Sequence, residues 1–484
     1  MADIILIQPK IGIEGYSTYG LVPPWGLIYS AMLVDKEYEV KIIDQRLDRN
    51  WRRTLQIELG KKPLFIGITS KVGGLIKHSL EISKFIKDRS DVPVVWGGPF
   101  ASIMPRETIE NENVNIVVIG EGEVTLYELA KALEKGKSLK GVKGIWYKDK
   151  KGIHSNPQRK FIDLNTLPDI PYHLVDFEDY IFDIDGLRTI YVISSRGCPR
   201  RCGFCYNSVF NRNIWRGLSP NGMIDMMSQF VEKFNVQRFM FLDDHIDPNH
   251  NRLNKLAQGI LKKRMKIKWS AYLDVNHVKC MNESTIKLLL NSGLYAIFIG
   301  LESGSQTILD NINKGITVEQ TIKVNRTLLE NGIIPYYFAM AGFPGETETD
   351  LQETRDLLLR VIEENPLAQI LTIHSFTPYC GTTMGDAALR NGFKMPEQLI
   401  DYKDFGGHKV ISPWLSNERK RELETLIFLT NFIDDKWANK VKNRFLGGII
   451  RSYGKVARYR FRNRDYRIML ELTLCRLYQS IVNR

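Results

Sequence analysis

Short apolar runs rich in β-branched residues alternate with amphipathic stretches along most of this chain, and the alternation comes in two series. In the first, Ile4–Ile7, Val40–Ile43, Leu64–Ile68, Val92–Trp96 and Ile116–Ile119 read as strands, with amphipathic stretches around 25–35, 74–88 and 123–135 between them. Runs that are apolar throughout suit strands covered on both faces. The rhythm predicts βαβ units and a doubly wound parallel sheet. In the second, strands at Ile190–Ile193, Arg238–Leu242, Ile267–Tyr272, Tyr295–Ile299, Ile334–Phe338 and Ile370–Ile373 are separated by helical stretches near 221–234, 250–263, 283–291, 317–331 and 348–363. Six such strands predict a partial (β/α)6 barrel.

Between the series, residues 151–188 lack periodicity and include Leu167-Pro168-Asp169-Ile170-Pro171, so they read as a linker. Beyond the second, residues 386–484 look helical, amphipathic near 418–433 and then basic and aromatic. The expected division is therefore 1–150, 151–188, 189–385 and 386–484.

Composition changes this picture little. With 43% hydrophobic and 25% charged residues in 484, the chain has the make-up of a soluble globular protein. No run approaches the roughly 18 apolar residues of a membrane span, and the N-terminus opens on a strand pattern, so a cytoplasmic enzyme is expected. Charge changes it more. The net charge is +12, and from Lys436 to Arg484 thirteen Lys and Arg stand against Asp465 and Glu471 alone. The tail reads as a helical cap with a solvated face, or as a contact for a membrane surface, an anionic substrate or an acidic partner. No nucleic-acid recognition module is visible and no nucleic acid is expected.

The candidate chemistry begins at Cys198-Pro199-Arg200-Arg201-Cys202-Gly203-Phe204-Cys205-Tyr206, where three of the six cysteines fall in a C-x-x-x-C-x-x-C pattern directly after a strand. With no fourth cysteine or histidine nearby, an iron–sulfur cluster held here keeps one iron free for an outside ligand. A structural zinc site stays open as an alternative, although zinc usually takes two C-x-x-C hooks and closes all four positions. Cys280, Cys380 and Cys475 read as ordinary buried or half-buried thiols.

The strand ends supply the rest. In the first series they carry Thr69-Ser70-Lys71-Val72, Gly97-Gly98-Pro99 and Gly120-Glu121-Gly122-Glu123, where a doubly wound sheet binds its ligand and glycine admits a close approach. Tight-turn residues are the plainer reading of each alone. In the second they carry Asp243-Asp244-His245, Gly300-Leu301-Glu302-Ser303-Gly304, Gly342 to Glu346 and His374 to Tyr379. Asp243, Asp244, His245, Asp247 and His250 also admit a second metal site, or helix caps at His245 and Asp247.

On these motifs the chain resembles the cobalamin-dependent radical S-adenosylmethionine (SAM) enzymes. The resemblance implies a [4Fe-4S] cluster on Cys198, Cys202 and Cys205, with the aromatic Phe204 before the last cysteine as in that family's signature. It implies SAM contacts from Phe204, from Asp243 or Asp244, and from Glu302 and Ser303; a carboxylate suits the cationic amino group. It implies cobalamin contacts from Thr69, Ser70, Lys71, Val72, Gly97, Gly98, Gly120, Glu121 and Glu123, with Ser70 followed 27 positions later by Gly97. The family's D-x-H-x-x-G loop is absent and the first histidine is His78, so the residue beneath cobalt is sought among Lys71, Val72 and their neighbours.

The activity implied is C-methylation: a 5′-deoxyadenosyl radical takes a hydrogen from an unactivated carbon, and methylcobalamin supplies the methyl group. An oxidative cyclase, a ring-rearranging enzyme and a non-catalytic cobalamin or SAM binder stay open, as does flavodoxin-like nucleotide binding by the first unit. The implied partners are a small-molecule, lipid, tetrapyrrole or peptide substrate and an acidic electron donor such as ferredoxin or flavodoxin.

Overall fold

In the computed structural model, which describes residues 2–10, 20–406, 410–434, 436 and 443–466, both series form sheets. The first holds β1 (Ile4–Gln8), β2 (Val40–Asp44), β3 (Phe65–Thr69), β4 (Val94–Gly97), β5 (Ile116–Val118), β6 (Ile145–Asp149) and β7 (Gly152–Ser155) in the order β2-β1-β3-β4-β5-β6-β7. β1 to β5 are parallel, with Ile4 opposite both Val40 and Phe65. Successive residues serve opposite faces: Ile5, Ile7, Ile66 and Ile68 join one core, while Ile4, Leu6, Phe65 and Val95 join the other. The strand order reverses between β1 and β3, which puts the sheet's ligand crevice beside the end of β3.

The antiparallel hairpin β6–β7 extends this sheet past residue 150 into the stretch expected to be linker. Three short 3-10 turns at Leu164–Thr166, Tyr172–Leu174 and Phe177–Tyr180 follow. This segment packs Tyr172 and Phe177 against Phe230 and Phe234 of the second unit, with Trp25 of the first against Phe177.

The second sheet consists of β8 (Phe182–Ile184), β9 (Leu187–Val192), β12 (Arg238–Phe241), β13 (Lys268–Tyr272), β14 (Leu294–Glu302), β15 (Ile334–Ala341) and β16 (Gln369–Ser375). The pairs from β9 through β16 are parallel and follow chain order, and β8 adds an antiparallel edge. This is the six-stranded part-barrel expected. The strand pair β10 (Ser195–Arg196) and β11 (Arg216–Gly217) brackets the cysteine loop.

Helices cover the outer face in the largest apolar cluster. The other face carries an aromatic ladder, Tyr272 to Phe298 to Tyr336, with rings 4.8 Å apart at each step, because those residues sit opposite one another in register.

The C-terminal region divides. Thr383–Arg390 and the 3-10 turn Leu399–Asp404 reach back to the first unit, where Tyr402 packs on Phe100 at 5.0 Å. Asn417–Leu429 and Arg444–Asn463 pack on the barrel. No helix of the described residues is long and apolar enough to cross a membrane. Cys280 is exposed rather than buried, Cys380 is half-buried, and Cys475 lies outside the described residues.

Candidate active site between two strand-end faces

The C-terminal ends of both sheets face each other across a cavity of about 300 Å³. One wall comes from Thr69, Gly97, Gly98, Gly120, Glu121 and Glu123, and the other from Ser195, Arg196, Tyr206, Arg216 and Asp244. A second cavity of about 140 Å³ lies beside it, lined by Lys71, Val72, Phe100, Tyr379, Cys380 and Tyr402, and Pro99 and Tyr206 border both.

The two units are fastened at this seam. Trp25 Nε1 donates to the carbonyl of Tyr191 at 2.9 Å, and Tyr29 Oη donates to that of Ile193 at 2.9 Å. Tyr180 Oη reaches Asp44 Oδ2 at 2.8 Å. Arg196 spans the gap, 2.8 Å from Glu121 Oε1 and 2.5 Å from Glu123 Oε1, and Arg216 Nε adds a bond of 2.9 Å to Glu121. The two carboxylates hold the Arg196 guanidinium above its ordinary pKa against the cost of its burial.

The cysteine loop is pinned from several elements. Gly203 donates to the carbonyl of Ile312 at 2.7 Å and accepts from the amide of Met384 at 2.9 Å. Asn313 Nδ2 holds the carbonyl of Arg201 at 3.0 Å, and Arg200 Nε holds Asp274 Oδ2 at 2.5 Å. The phenyl ring of Phe204 lies 6.1 Å from that of Phe343. Burial pushes the thiol of Cys198 up to about 11 and that of Cys205 up to about 12, and raises Cys202 as well. Part-buried thiols of this kind favour deprotonation only when a cation arrives to offset the charge.

Of the adjacent aspartates, Asp244 faces the cavity, taking bonds from the Gly197 amide at 3.1 Å and Tyr206 Oη at 3.2 Å. Asp243 lies behind it, fully buried. Its Oδ1 accepts from the amide and hydroxyl of Ser194, each at 3.0 Å, and from the hydroxyl of Ser195. Its Oδ2 has no partner, and burial raises its pKa.

Asp247 Oδ2 accepts from the amide of Leu253, in the first turn of the following helix, at 2.9 Å. His245 Nε2 pairs with Asp274 at 3.3 Å, and the rings of His245 and His250 lie 5.8 and 3.9 Å from that of His277.

Glu302 ends β14 with a φ of 61°, in the left-handed region that costs a non-glycine residue energy, and its carboxylate pairs with Lys314 Nζ at 2.6 Å. Gly300 makes that pair possible: a Cβ there would lie 2.2 Å from Glu302 Oε1 and 3.0 Å from Lys314 Nζ. Ser303 lies buried away from the cavity, bonded to Thr354 Oγ1 at 2.8 Å.

Ser70 likewise works from behind. Its hydroxyl donates to the carbonyl of Gly97 at 2.8 Å and accepts from the amide of Ala101 at 3.2 Å. Gly98 closes over it at φ 91°, where a Cβ would meet the Ser70 carbonyl at 2.6 Å. The Ser70 and Gly-Gly elements are thus one strut that shapes the cavity floor. His78, in the helix Gly74–Lys87, pairs with Glu81 at 3.3 Å.

Sequence reasoning passed over Arg196, Arg216, Lys314, Asp274 and Tyr206. Arg196 and Tyr206 flank the cysteine motif itself, the one signal that marks them; the others belong to the site only through tertiary contact.

The arrangement fits the groups that the motifs point to: three thiols on one pinned loop, a cavity-facing carboxylate at Asp244, and a buried carboxylate oxygen without a partner at Glu123 Oε2 on the cavity wall. The Radical SAM superfamily model matches residues 192–358 and the B12 binding domain model matches residues 16–130. An uncharacterised methyltransferase of Pyrococcus horikoshii is 32% identical over 373 residues, covering 76% of this chain and 79% of that protein. The anaerobic magnesium-protoporphyrin IX monomethyl ester cyclase of Rubrivivax gelatinosus is 26% identical over 302 residues, 60% of this chain and 53% of its own length.

Among solved structures, the cobalamin-dependent S-adenosylmethionine radical enzyme OxsB with aqua-cobalamin bound shares the fold, with a TM-score of 0.76 over 96% of this chain and 72% of that one at 19% identity. With both domain models matched on one chain and a relative of this identity along most of its length, the chain belongs to the cobalamin-dependent radical SAM enzymes, whose cofactors are a [4Fe-4S] cluster, SAM and cobalamin.

Proposed function

We propose that the enzyme is a C-methyltransferase that places a methyl group on an unactivated carbon of a substrate held at the seam between the two units. The observation that carries the reading is the shared cavity, whose walls come from the strand ends of both sheets. In this reading Cys198, Cys202 and Cys205 hold the cluster. Phe204, Asp244 and Glu302 serve SAM, with Asp243 and Ser303 supporting them from behind. Thr69, Gly97, Gly98, Gly120, Glu121 and Glu123 surround cobalamin, Ser70 fixes their loops, and Lys71 and Val72 are the candidates for the residue beneath cobalt. The cobalamin-binding unit then runs through the hairpin to Ser155, and the barrel begins at β8.

When bound, these groups supply the electron that cleaves SAM, the radical that removes hydrogen and the carrier of the methyl group. The chain supplies position. Asp244 offers a carboxylate to the amino group of SAM, a charge-assisted pairing. The Glu302–Lys314 pair fixes a second carboxylate at the same barrel mouth. Arg196 and Arg216 hold the opposite wall in register. Phe204, against Phe343, presents an apolar edge that keeps water from the loop. Arg201 is exposed on that loop and suits an acidic electron donor.

Oxidative ring closure is the second reading, favoured by the cyclase relative. Turnover with SAM carrying a labelled methyl group separates them. Methylation predicts the label in the product; an unlabelled product with 5′-deoxyadenosine formed alongside it assigns the enzyme to ring closure or rearrangement.

A further inference from the structure

The twenty-residue helix Arg444–Asn463 presents two apolar faces, of which the barrel uses one. Gly454, Ala457 and Phe461 are buried, and the helix packs on Glu348–Glu364 and Asn417–Leu429. On the opposite side Phe445, Ile449, Val456 and Tyr459 form an outward stripe, with Phe445 77% and Tyr459 60% exposed. Their spacings of four, seven and three place them on one helical face. Arg451 and Lys455 lie along one flank of the stripe and Arg460 along the other.

The basic residues near the end of this helix have a structural task. Arg458 Nη1 donates to the carbonyl of Ile433 at 2.9 Å, Arg462 pairs with Glu363, and Arg464 pairs with Glu348 and Glu422. These bonds fasten the helix to the barrel, so the stripe is carried on a fixed element.

We infer that this outward face docks on an anionic lipid bilayer, with Phe445, Ile449, Val456 and Tyr459 entering the headgroup boundary and the flanking Lys and Arg meeting lipid phosphates. An apolar stripe between basic flanks, on an element too polar to cross the bilayer, is the pattern of a helix that lies in the membrane surface. Charge selects this occupant. A second copy would set basic flank against basic flank. Residues 467–484 carry Arg467, Arg476 and Arg484 against Glu471 alone, so they offer the flanks no opposite charge either. The inference concerns a face separate from the cavity and does not depend on the reaction proposed above.

Co-sedimentation of the full chain with vesicles tests it. Vesicles of phosphatidylglycerol and phosphatidylcholine in equal parts should pellet the protein at low salt, and phosphatidylcholine alone should not. High salt should lower the bound fraction. Phe445→Ser with Ile449→Ser and Tyr459→Ser should lower partitioning at least about tenfold with an unchanged melting temperature, because exposed side chains leave the core intact. Lys455→Glu alone should lower it by about threefold or more. No binding to the mixed vesicles, equal binding to both kinds, or binding untouched by these variants would overturn the inference. So would a concentration-dependent dimer that the triple variant dissolves, which would assign the stripe to a second copy. Binding that appears only after removal of residues 467–484 would overturn it in favour of the chain's own tail.

Discussion

Asp243 and Asp244 are adjacent in sequence and opposite in surroundings, and only one of them can meet a ligand. Asp243 organises Ser194 and Ser195 from a buried position, so Asp243→Ala should cost about 3 kcal/mol of stability by stranding three donors. Asp244→Asn should leave the melting temperature in place and weaken SAM binding by about tenfold, read by calorimetric titration of the reconstituted protein. Sequence alone named both without separating them, because two consecutive residues past a strand end give no sign of which turns inward. Ser70 and Ser303 show the same limit: each was legible as part of a motif, yet its hydroxyl is spent on backbone or threonine partners.

Glu346, in the loop after β15, gives a pH signature. Burial raises its carboxyl from 4.5 to about 7, although its Oε2 accepts from the Gly342 amide at 2.6 Å. A folded pKa above the unfolded one means that the folded state holds the proton more tightly. Its stabilisation is therefore complete below the unfolded pKa and is lost as pH climbs through the folded one, at about 1.4 kcal/mol per unit. Thermal melts of Glu346→Gln should show less decline between about pH 4.5 and 7 than the natural protein.

At the scale of elements, strands that are apolar along their whole length were legible, because a parallel sheet buried on both faces leaves that mark. The six barrel strands appear in the order read, and β1 to β5 pair as expected. The hairpin β6–β7 was missed because β7 exposes most of its residues and offers no apolar run. The turns between 164 and 180 were legible only as a linker, for a related reason: their aromatic side chains answer to Trp25 and the helix Pro220–Phe234, far off in sequence.

The C-terminal helices are joined to the barrel by a buried charge cluster, which composition could not have revealed. Arg355 is fully buried and pairs with Glu422 at 3.1 Å, and Glu422 also meets Arg464. Glu422→Gln should destabilise the protein by about 3 kcal/mol in chemical denaturation, since it leaves a buried guanidinium without its counter-charge.

For the molecule as a whole, the decisive feature is the meeting of two strand-end faces at one cavity, which the resemblance implies, while the side chains that join them were not legible. Arg196 carries that contact, reaching from the cysteine loop to Glu121 and Glu123. Replacing Cys198, Cys202 and Cys205 with alanine should abolish iron binding and 5′-deoxyadenosine formation yet spare cobalamin binding, because the wall proposed for cobalamin belongs to the other unit.

Methyl transfer at this seam is read out by the molar ratio of S-adenosylhomocysteine to 5′-deoxyadenosine formed per product. Methylation uses one SAM for the methyl group and one for the radical, so one of each should form for every product molecule. Product that accumulates with 5′-deoxyadenosine and no matching S-adenosylhomocysteine would contradict it.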